Sequence, residues 1–150
     1  MPQSLSSVLI HIVFSTKNRA PLIPAEVASD LYRYMTSISR AHGCPAHQIG
    51  GTEDHVHICC SLARTQTCAK LVEEIKTGSS KWMKTKKPSL ACFAWQNGYG
   101  VFSIGEEQLN ALRKYIENQP EHHARVSFEE EVRELLGRHR IAYDERYVWD

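Results

Sequence analysis

No long apolar segment runs through this chain of 150 residues. The most hydrophobic stretch, Val8-Leu9-Ile10-His11-Ile12-Val13-Phe14, is broken by a histidine and is far too short to span a bilayer, which needs roughly 20 residues. No charged segment precedes an apolar signal core, so secretion is not expected. The five cysteines are an odd number, and Cys59 and Cys60 are adjacent. Neither a disulfide framework nor a CxxC zinc pattern fits that usage, which leaves reduced, mostly buried thiols in a cytosolic protein. Net charge is only +1, so bulk charge points to no partner. Low-complexity tracts, internal repeats and linkers are also missing, and the expectation is a single domain over residues 1–150. A chain of this length buries about 68–70% of the surface its unfolded form exposes.

Charge is nevertheless unevenly placed. Arg64 to Lys87 carries seven basic residues against two acidic ones, whereas Glu106 to Glu134 carries eight glutamates against four basic residues. A cationic patch of this kind could meet phosphates, and a solvated helix face has the same composition.

Apolar periodicity orders the elements. Residues 8–14 suit a central strand, and Pro21 and Pro24 open a helix over roughly Ala25 to Ala41 that ends at His42-Gly43. A strand from about Pro45 to Gly50 turns at Gly51-Thr52-Glu53-Asp54 and returns as His55 to Leu62. About Thr67 to Lys84 reads as a helix, weakened in the middle by Gly78-Ser79-Ser80. Phe93 to Ser103 reads as one or two strands bent at glycines. Ser103 and Glu106 have capping-box spacing ahead of a helix ending near Gln119-Pro120. Ser127 and Glu130 repeat it ahead of Phe128, Val132, Leu135 and Leu136. The order β-α-β-β-α-β-α-α describes an α+β sandwich of the ferredoxin-like or RRM-like kind. Its sheet is mainly antiparallel, its helices lie on one face, and further helices follow at the C-terminus. The tail from Ile141 to Asp150 holds Tyr143, Tyr147, Val148 and Trp149 and is apolar enough to dock on a neighbouring element.

Within the returning strand, Asp54-His55-Val56-His57-Ile58-Cys59-Cys60 raises a question of chemistry. Side chains two apart share a face, with Cα atoms about 6.5–7 Å apart, so His55, His57 and Cys59 point one way. Val56, Ile58, Cys60 and Leu62 point the other way, toward the helices. If helices cover one side of the sheet only, the histidines emerge on the open side. Two imidazoles there can converge on one ion, and Cys59 could add a third ligand of zinc type. They could equally be polar residues on an exposed face.

A second pair stands out in Arg113-Lys114-Tyr115-Ile116-Glu117-Asn118-Gln119. Leu109, Leu112 and Ile116 form a core-facing stripe, while Tyr115 and Gln119 lie one turn apart on a flanking face. Alone, these two read as a boundary aromatic and a polar helix end.

Taken together, several motifs resemble the HUH single-tyrosine transposases of small bacterial insertion sequences and the similar repeat-associated tyrosine transposases. They are Phe14-Ser15-Thr16-Lys17-Asn18-Arg19, Asp54-His55-Val56-His57, Trp95-Gln96-Asn97-Gly98-Tyr99-Gly100, Tyr115 to Gln119, His122-His123 and Tyr143-Asp144-Glu145-Arg146-Tyr147. They follow one another in one order along nearly the whole chain. The resemblance implies that His55, His57 and Gln119 bind a divalent metal and that Tyr115 is the nucleophile. It also implies a homodimer in the bacterial cytoplasm that cuts single-stranded DNA at element ends, beside a subterminal hairpin, and rejoins it. The Tyr115 helix could serve its own subunit or its partner.

The chemistry agrees with that assignment. A phenol of pKa near 10 is only about 0.1% ionised at pH 7, so it needs a base, a cation or a metal. The neutral donors of His55, His57 and Gln119 accept Mg²⁺ or Mn²⁺. A tyrosyl phosphodiester conserves the energy of the bond it replaces, which suits strand transfer and not hydrolysis. Tyr32, Tyr34, Tyr99, Tyr143 and Tyr147 have no glutamine one turn later. Lys17, Arg19, Lys76, Lys81 and Lys84 are candidate phosphate contacts, and Trp95 and Tyr99 could stack on bases or pack in the core. Adjacent helical residues diverge by about 100°, which favours a non-ligand role for His122-His123. The rival readings are a metal-dependent phosphoesterase or nuclease and a non-catalytic nucleic-acid-binding module.

Overall fold

Alternation in Leu9–Ser15 makes this segment β1, an inner strand, in the computed structural model, which describes residues 2–150. β2 (Ala46–Gly51) and β3 (His55–Ser61) form the expected hairpin, and β4 (Gly100–Ile104) closes the sheet. The order is β2-β3-β1-β4 and every pairing is antiparallel. Register sets the faces: Ile12 lies opposite Ile58 and Val101, and Phe14 lies opposite Val56.

The helices α1 (Ala25–Ala41) and α2 (Cys68–Lys84) cover that apolar face. Leu31, Met35, Leu71, Ile75 and Met83 meet Ile10, Ile12, Phe14, Val56, Ile58 and Cys60 in the main core. Each fully buried side chain of this size contributes about 1.5–3 kcal/mol, so this cluster carries most of the fold's stabilisation. α2 runs unbroken through Gly78-Ser79-Ser80, contrary to the weakness expected there. A Cβ on Gly78 would come within 2.7 Å of Ile38 Cδ1, so the glycine lets α1 approach. Buried Ser79 returns its hydroxyl to Ile75 O at 2.6 Å and accepts a bond from Trp95 Nε1 at 2.9 Å.

The opposite face is not open. It is covered by α3 (Leu109–Glu117), the single turn α4 (Gln119–His122) and α5 (Phe128–Arg138). The expectation that the histidines emerge to solvent is therefore corrected: His55 and His57 have no exposed surface. A smaller cluster of Val13, Phe102, Phe128, Leu135 and Leu136 seals this side.

Two expected helix starts fare differently. Ser127 caps α5, its hydroxyl accepting from Glu130 N at 3.1 Å. Ser103 stays inside β4, and the turn into α3 begins at Gly105, whose N–H donates to Gln108 Oε1 at 2.8 Å. In residues 93–99 only Trp95 pairs with the sheet, through one bridge to Thr16. The tail docks at its end: Asp150 O accepts from Gly98 N at 2.8 Å and from Gln96 Nε2 at 3.1 Å, and Val148 packs on the smaller cluster, while Tyr147 remains exposed. Among the described residues no helix is long and apolar enough to cross a membrane.

Gly50 on β2 sets the height of α3. A Cβ there would lie 2.6 Å from Ile116 O, a backbone atom with nowhere to go. Gly50→Ala is expected to destabilise the protein by about 1–3 kcal/mol, as overpacking does. Gly137→Ala, where nothing lies within 4 Å, is expected to be neutral or to stabilise by up to about 1 kcal/mol. Urea denaturation of the two variants checks the pair.

Candidate active site and metal centre

Each β3 histidine presents one ring nitrogen to the site and ties the other down. His55 Nδ1 lies 2.8 Å from Asp54 Oδ1 and 2.9 Å from Thr52 Oγ1, so a carboxylate and a hydroxyl from the β2–β3 turn hold the ring. His57 Nδ1 lies 2.8 Å from His11 Nε2, which reaches across from β1. In both rings Nε2 faces the C-terminal helices. Fixing one nitrogen orients the other and favours its lone pair for a ligand, as in carboxylate–histidine–metal arrangements.

The break between α3 and α4 brings the next group in. Asn118 leaves helical geometry, with ψ at 18°, and Pro120 follows at the second position of α4. Gln119 is thereby fully buried, with Oε1 at 3.1 Å from His55 Nε2. Tyr115, one turn earlier and half-buried, sends its hydroxyl to Glu131 on α5. The four side chains singled out from sequence thus meet within one chain.

Glu131 was not among them, although it lies at the centre. Its Oε1 stands 2.9 Å from His57 Nε2, 3.1 Å from His123 Nε2 and 3.8 Å from His55 Nε2. Its Oε2 accepts from the Tyr115 hydroxyl, from Gln119 Nε2 at 3.1 Å, and lies 3.2 Å from His122 Nε2. A signal existed in sequence. Glu131 falls three residues after Phe128 and four before Leu135, inside the apolar stripe of α5, where a carboxylate has no reason to be unless it has partners. His122 and His123 do diverge, as adjacent residues must, yet both reach Glu131 because its two oxygens project between them. His11, which breaks the apolar run of β1, also turns out to belong to the site. Cys59 is buried on the same sheet face, but among the described residues the converging ligand atoms are those of His55, His57, His123 and Glu131.

Burial governs the electrostatics. It would raise the Glu131 carboxyl, but hydrogen bonds from His123, His57 and Tyr115 outweigh it and hold the group well below the usual range. Burial lowers His57, with Glu131 opposing, and takes His11 down to about 3. Burial alone would lower His123 too, but the bond to Glu131 raises it. Desolvation first, then the hydrogen bond to Glu131 and its charge, raises the Tyr115 phenol.

A pH dependence follows from His11. Its folded-state value lies below the unfolded one, so below pH 6.5 the unfolded chain takes up a proton that the folded chain refuses. Stability should fall with acid by roughly 1 kcal/mol per pH unit from this group well below pH 6.5, His57 acting in the same sense. His123 opposes this only above pH 6.5, since its stabilisation is already complete below. His11→Gln in EDTA-treated protein should recover about 2 kcal/mol of the loss between pH 6.5 and 5 in urea titrations.

The site has access from two sides. A cavity of about 530 Å³ reaches the Tyr115 hydroxyl between α3 and α5, lined also by His11, Phe102, His122, Glu131 and Arg138. An opening of about 940 Å³ beside Asp54 and His123 lies on the other side and includes Arg19. Arg19 is paired with Glu129 at 2.6 Å. Lys17 is exposed near the β1 end, and Lys81 and Lys84 are exposed along a groove of about 510 Å³ beside α2. Lys76 lines that groove, but its ammonium donates to Gln96 O at 2.9 Å, Asn97 O at 3.3 Å and Gly98 O at 2.7 Å and acts as a clamp on the 96–98 loop. Trp95 is core, edge-on to Phe14 and Phe93, whereas Tyr99 stays partly exposed above Lys76.

Comparison with known proteins places the chain in a family and matches its fold. The family model described as "Transposase IS200 like" matches residues 4–119. A curated relative, the ISDra2 transposase TnpA of Deinococcus radiodurans, is 25% identical over 114 residues, spanning 73% of this chain and 81% of its own length. Two solved structures share the fold. A candidate transposase from Deinococcus radiodurans R1 has a TM-score of 0.61 at 23% identity, covering 79% of this chain and 98% of its own. A REP-associated tyrosine transposase bound to a REP hairpin has a TM-score of 0.59 at 14% identity, covering 84% of this chain and 74% of its own.

Proposed function

Because the chain belongs to the IS200-like transposase family, we propose that it cuts and rejoins single-stranded DNA through a phosphotyrosine at Tyr115. The observation that carries this reading is the meeting, in one chain, of the Tyr115 hydroxyl and Gln119 amide with His55 and His57. Tyr115 Oη attacks the scissile phosphorus and passes its proton to Glu131 Oε2, the nearest acceptor, while the bond to the 3′ oxygen breaks and that oxygen takes up a proton from water. The 5′ phosphate stays on Tyr115, and a 3′-OH leaves that can later reverse the step on a new partner.

His55, His57 and Gln119 are the residues that would hold a divalent ion, Mg²⁺ or Mn²⁺, and their nitrogen and oxygen donors suit one. Such an ion would withdraw charge from the phosphate oxygens. The substrate is a strand carrying a hairpin, as in the solved REP hairpin complex, with Lys17, Arg19, Lys81 and Lys84 on its phosphates. Lys76 contributes by holding the groove wall. The chain works as a single domain in the bacterial cytoplasm and pairs as a homodimer, with each protomer carrying its own tyrosine beside its own histidines.

The test is incubation of the protein with Mg²⁺ or Mn²⁺ and 5′- or 3′-labelled hairpin-bearing strands. An SDS-resistant adduct on the 3′ fragment supports the reading. Turnover with no adduct favours a phosphoesterase, and binding without cleavage favours a recognition module.

A further inference from the structure

We propose that Glu131 and His123 join His55, His57 and Gln119 at the metal centre, so that the ion meets three imidazoles and one carboxylate beside the Gln119 amide. This rests on the reading of His55 and His57 as metal ligands. One ligand atom from each of the four residues lies within 4.8 Å of the others. Ligands at about 2.0–2.2 Å from a common ion stand about 4 Å apart or less, so small side-chain adjustments bring them onto it.

The carboxylate is divided in a way that suits this role. Oε1 faces the three imidazole nitrogens, and Oε2 faces Tyr115, Gln119 and His122. One oxygen is thus aimed at the ion and the other at the nucleophile. Glu131 is 2% exposed, and its hydrogen-bond and ion-pair partners among the described residues are imidazoles, a phenol and an amide, with no lysine or arginine. A buried carboxylate in such surroundings is well matched to a cation. Tethering by Asp54 and His11 already turns both β3 rings toward the same point. Phe128, at the start of α5, stacks on His55 with ring centroids 4.6 Å apart and holds the helix over the cluster.

Glu131 and His123 both lie beyond residue 119, where the family match ends. His123 caps the end of α4 and Glu131 sits on α5, so both added donors come from the C-terminal helices that cover this face of the sheet. The consequence is selectivity: three imidazoles and a carboxylate favour transition ions over Mg²⁺, which prefers oxygen and retains its waters. The ion would also tie α5 to β3, so that metal binding and the docking of α5 stabilise each other.

The experiment uses full-length, EDTA-treated protein titrated with Mn²⁺, followed by electron paramagnetic resonance of the free ion, and with Co²⁺, followed by its visible absorption. Wild type is expected to bind Mn²⁺ at least about tenfold more tightly than Mg²⁺ in competition. Glu131→Gln and His123→Ala should each weaken Mn²⁺ binding at least about tenfold and change the Co²⁺ spectrum. Both should lose the metal-dependent rise in melting temperature, and His122→Ala should not. Should either variant fold poorly, as judged by circular dichroism, Glu131→Asp and His123→Gln replace it. Wild-type affinity in either variant, or tighter binding by Glu131→Gln, overturns the proposal and leaves the His55 and His57 reading standing. Binding that survives His55→Ala and His57→Ala, or no binding by wild type, defeats that reading as well.

Discussion

A Tyr115→Phe chain is expected to bind hairpin DNA as wild type does and to form no covalent adduct, a fall of at least about 10³-fold in strand cleavage. The substitution removes one oxygen. Phenylalanine keeps the ring, which is half-buried and edge-on to His57 at 5.7 Å between centroids, so the packing of α3 is preserved. What is lost is the attacking atom and the proton it shares with Glu131. The other tyrosines lie elsewhere: Tyr32 packs against the main core, Tyr34 stacks on Trp82, Tyr99 lines the α2 groove, and Tyr143 and Tyr147 stand exposed in the tail. A hydrolytic enzyme using water at the same ion would keep its turnover in this variant. Adduct yield on denaturing gels, beside hairpin affinity by fluorescence anisotropy, separates the two cases.

His57→Ala is expected to have the second-largest effect, lowering adduct formation and Mn²⁺ affinity each by at least about 100-fold. His57 links three parts of the site: Nδ1 pairs with His11, Nε2 faces Glu131, and Glu131 in turn receives Tyr115. The substitution therefore removes a proposed ligand and leaves a cavity beside a buried carboxylate. The main core lies on the opposite face of the sheet, so folding should survive. Single-turnover cleavage across a Mn²⁺ titration gives both quantities, and an adduct rate near wild type at saturating metal would count against His57 as a ligand.

The sheet, its helix order and the β2–β3 hairpin were legible in the sequence because each depends on local periodicity or turn chemistry. His55 and His57 were legible for the same reason, a polar pair on one face of an apolar strand. Tyr115 and Gln119, which alone read as a boundary aromatic and a polar helix end, took their roles from the family resemblance, and the break at Asn118 that directs Gln119 inward was not readable from a helical pattern. Glu131, His123 and His11 stood in the sequence as polar residues at odd places, but that they converge required knowing which elements oppose one another across the sheet. That information is tertiary: α5 crosses the face that an α+β reading with helices on one side left open. Lys76 shows the converse limit, since a lysine among lysines reads as a phosphate contact until three carbonyls are found around it.

The central claim is that the Tyr115 oxygen becomes joined to DNA phosphorus beside the β3 histidines. Tandem mass spectrometry of the protease-digested adduct, formed with Mn²⁺ and a short hairpin-bearing strand, tests it most directly. The account predicts a nucleotide mass on the peptide containing Tyr115 and on no other tyrosine peptide. The same mass on Tyr99, Tyr143 or Tyr147, or cleaved DNA with every tyrosine unmodified, would contradict it.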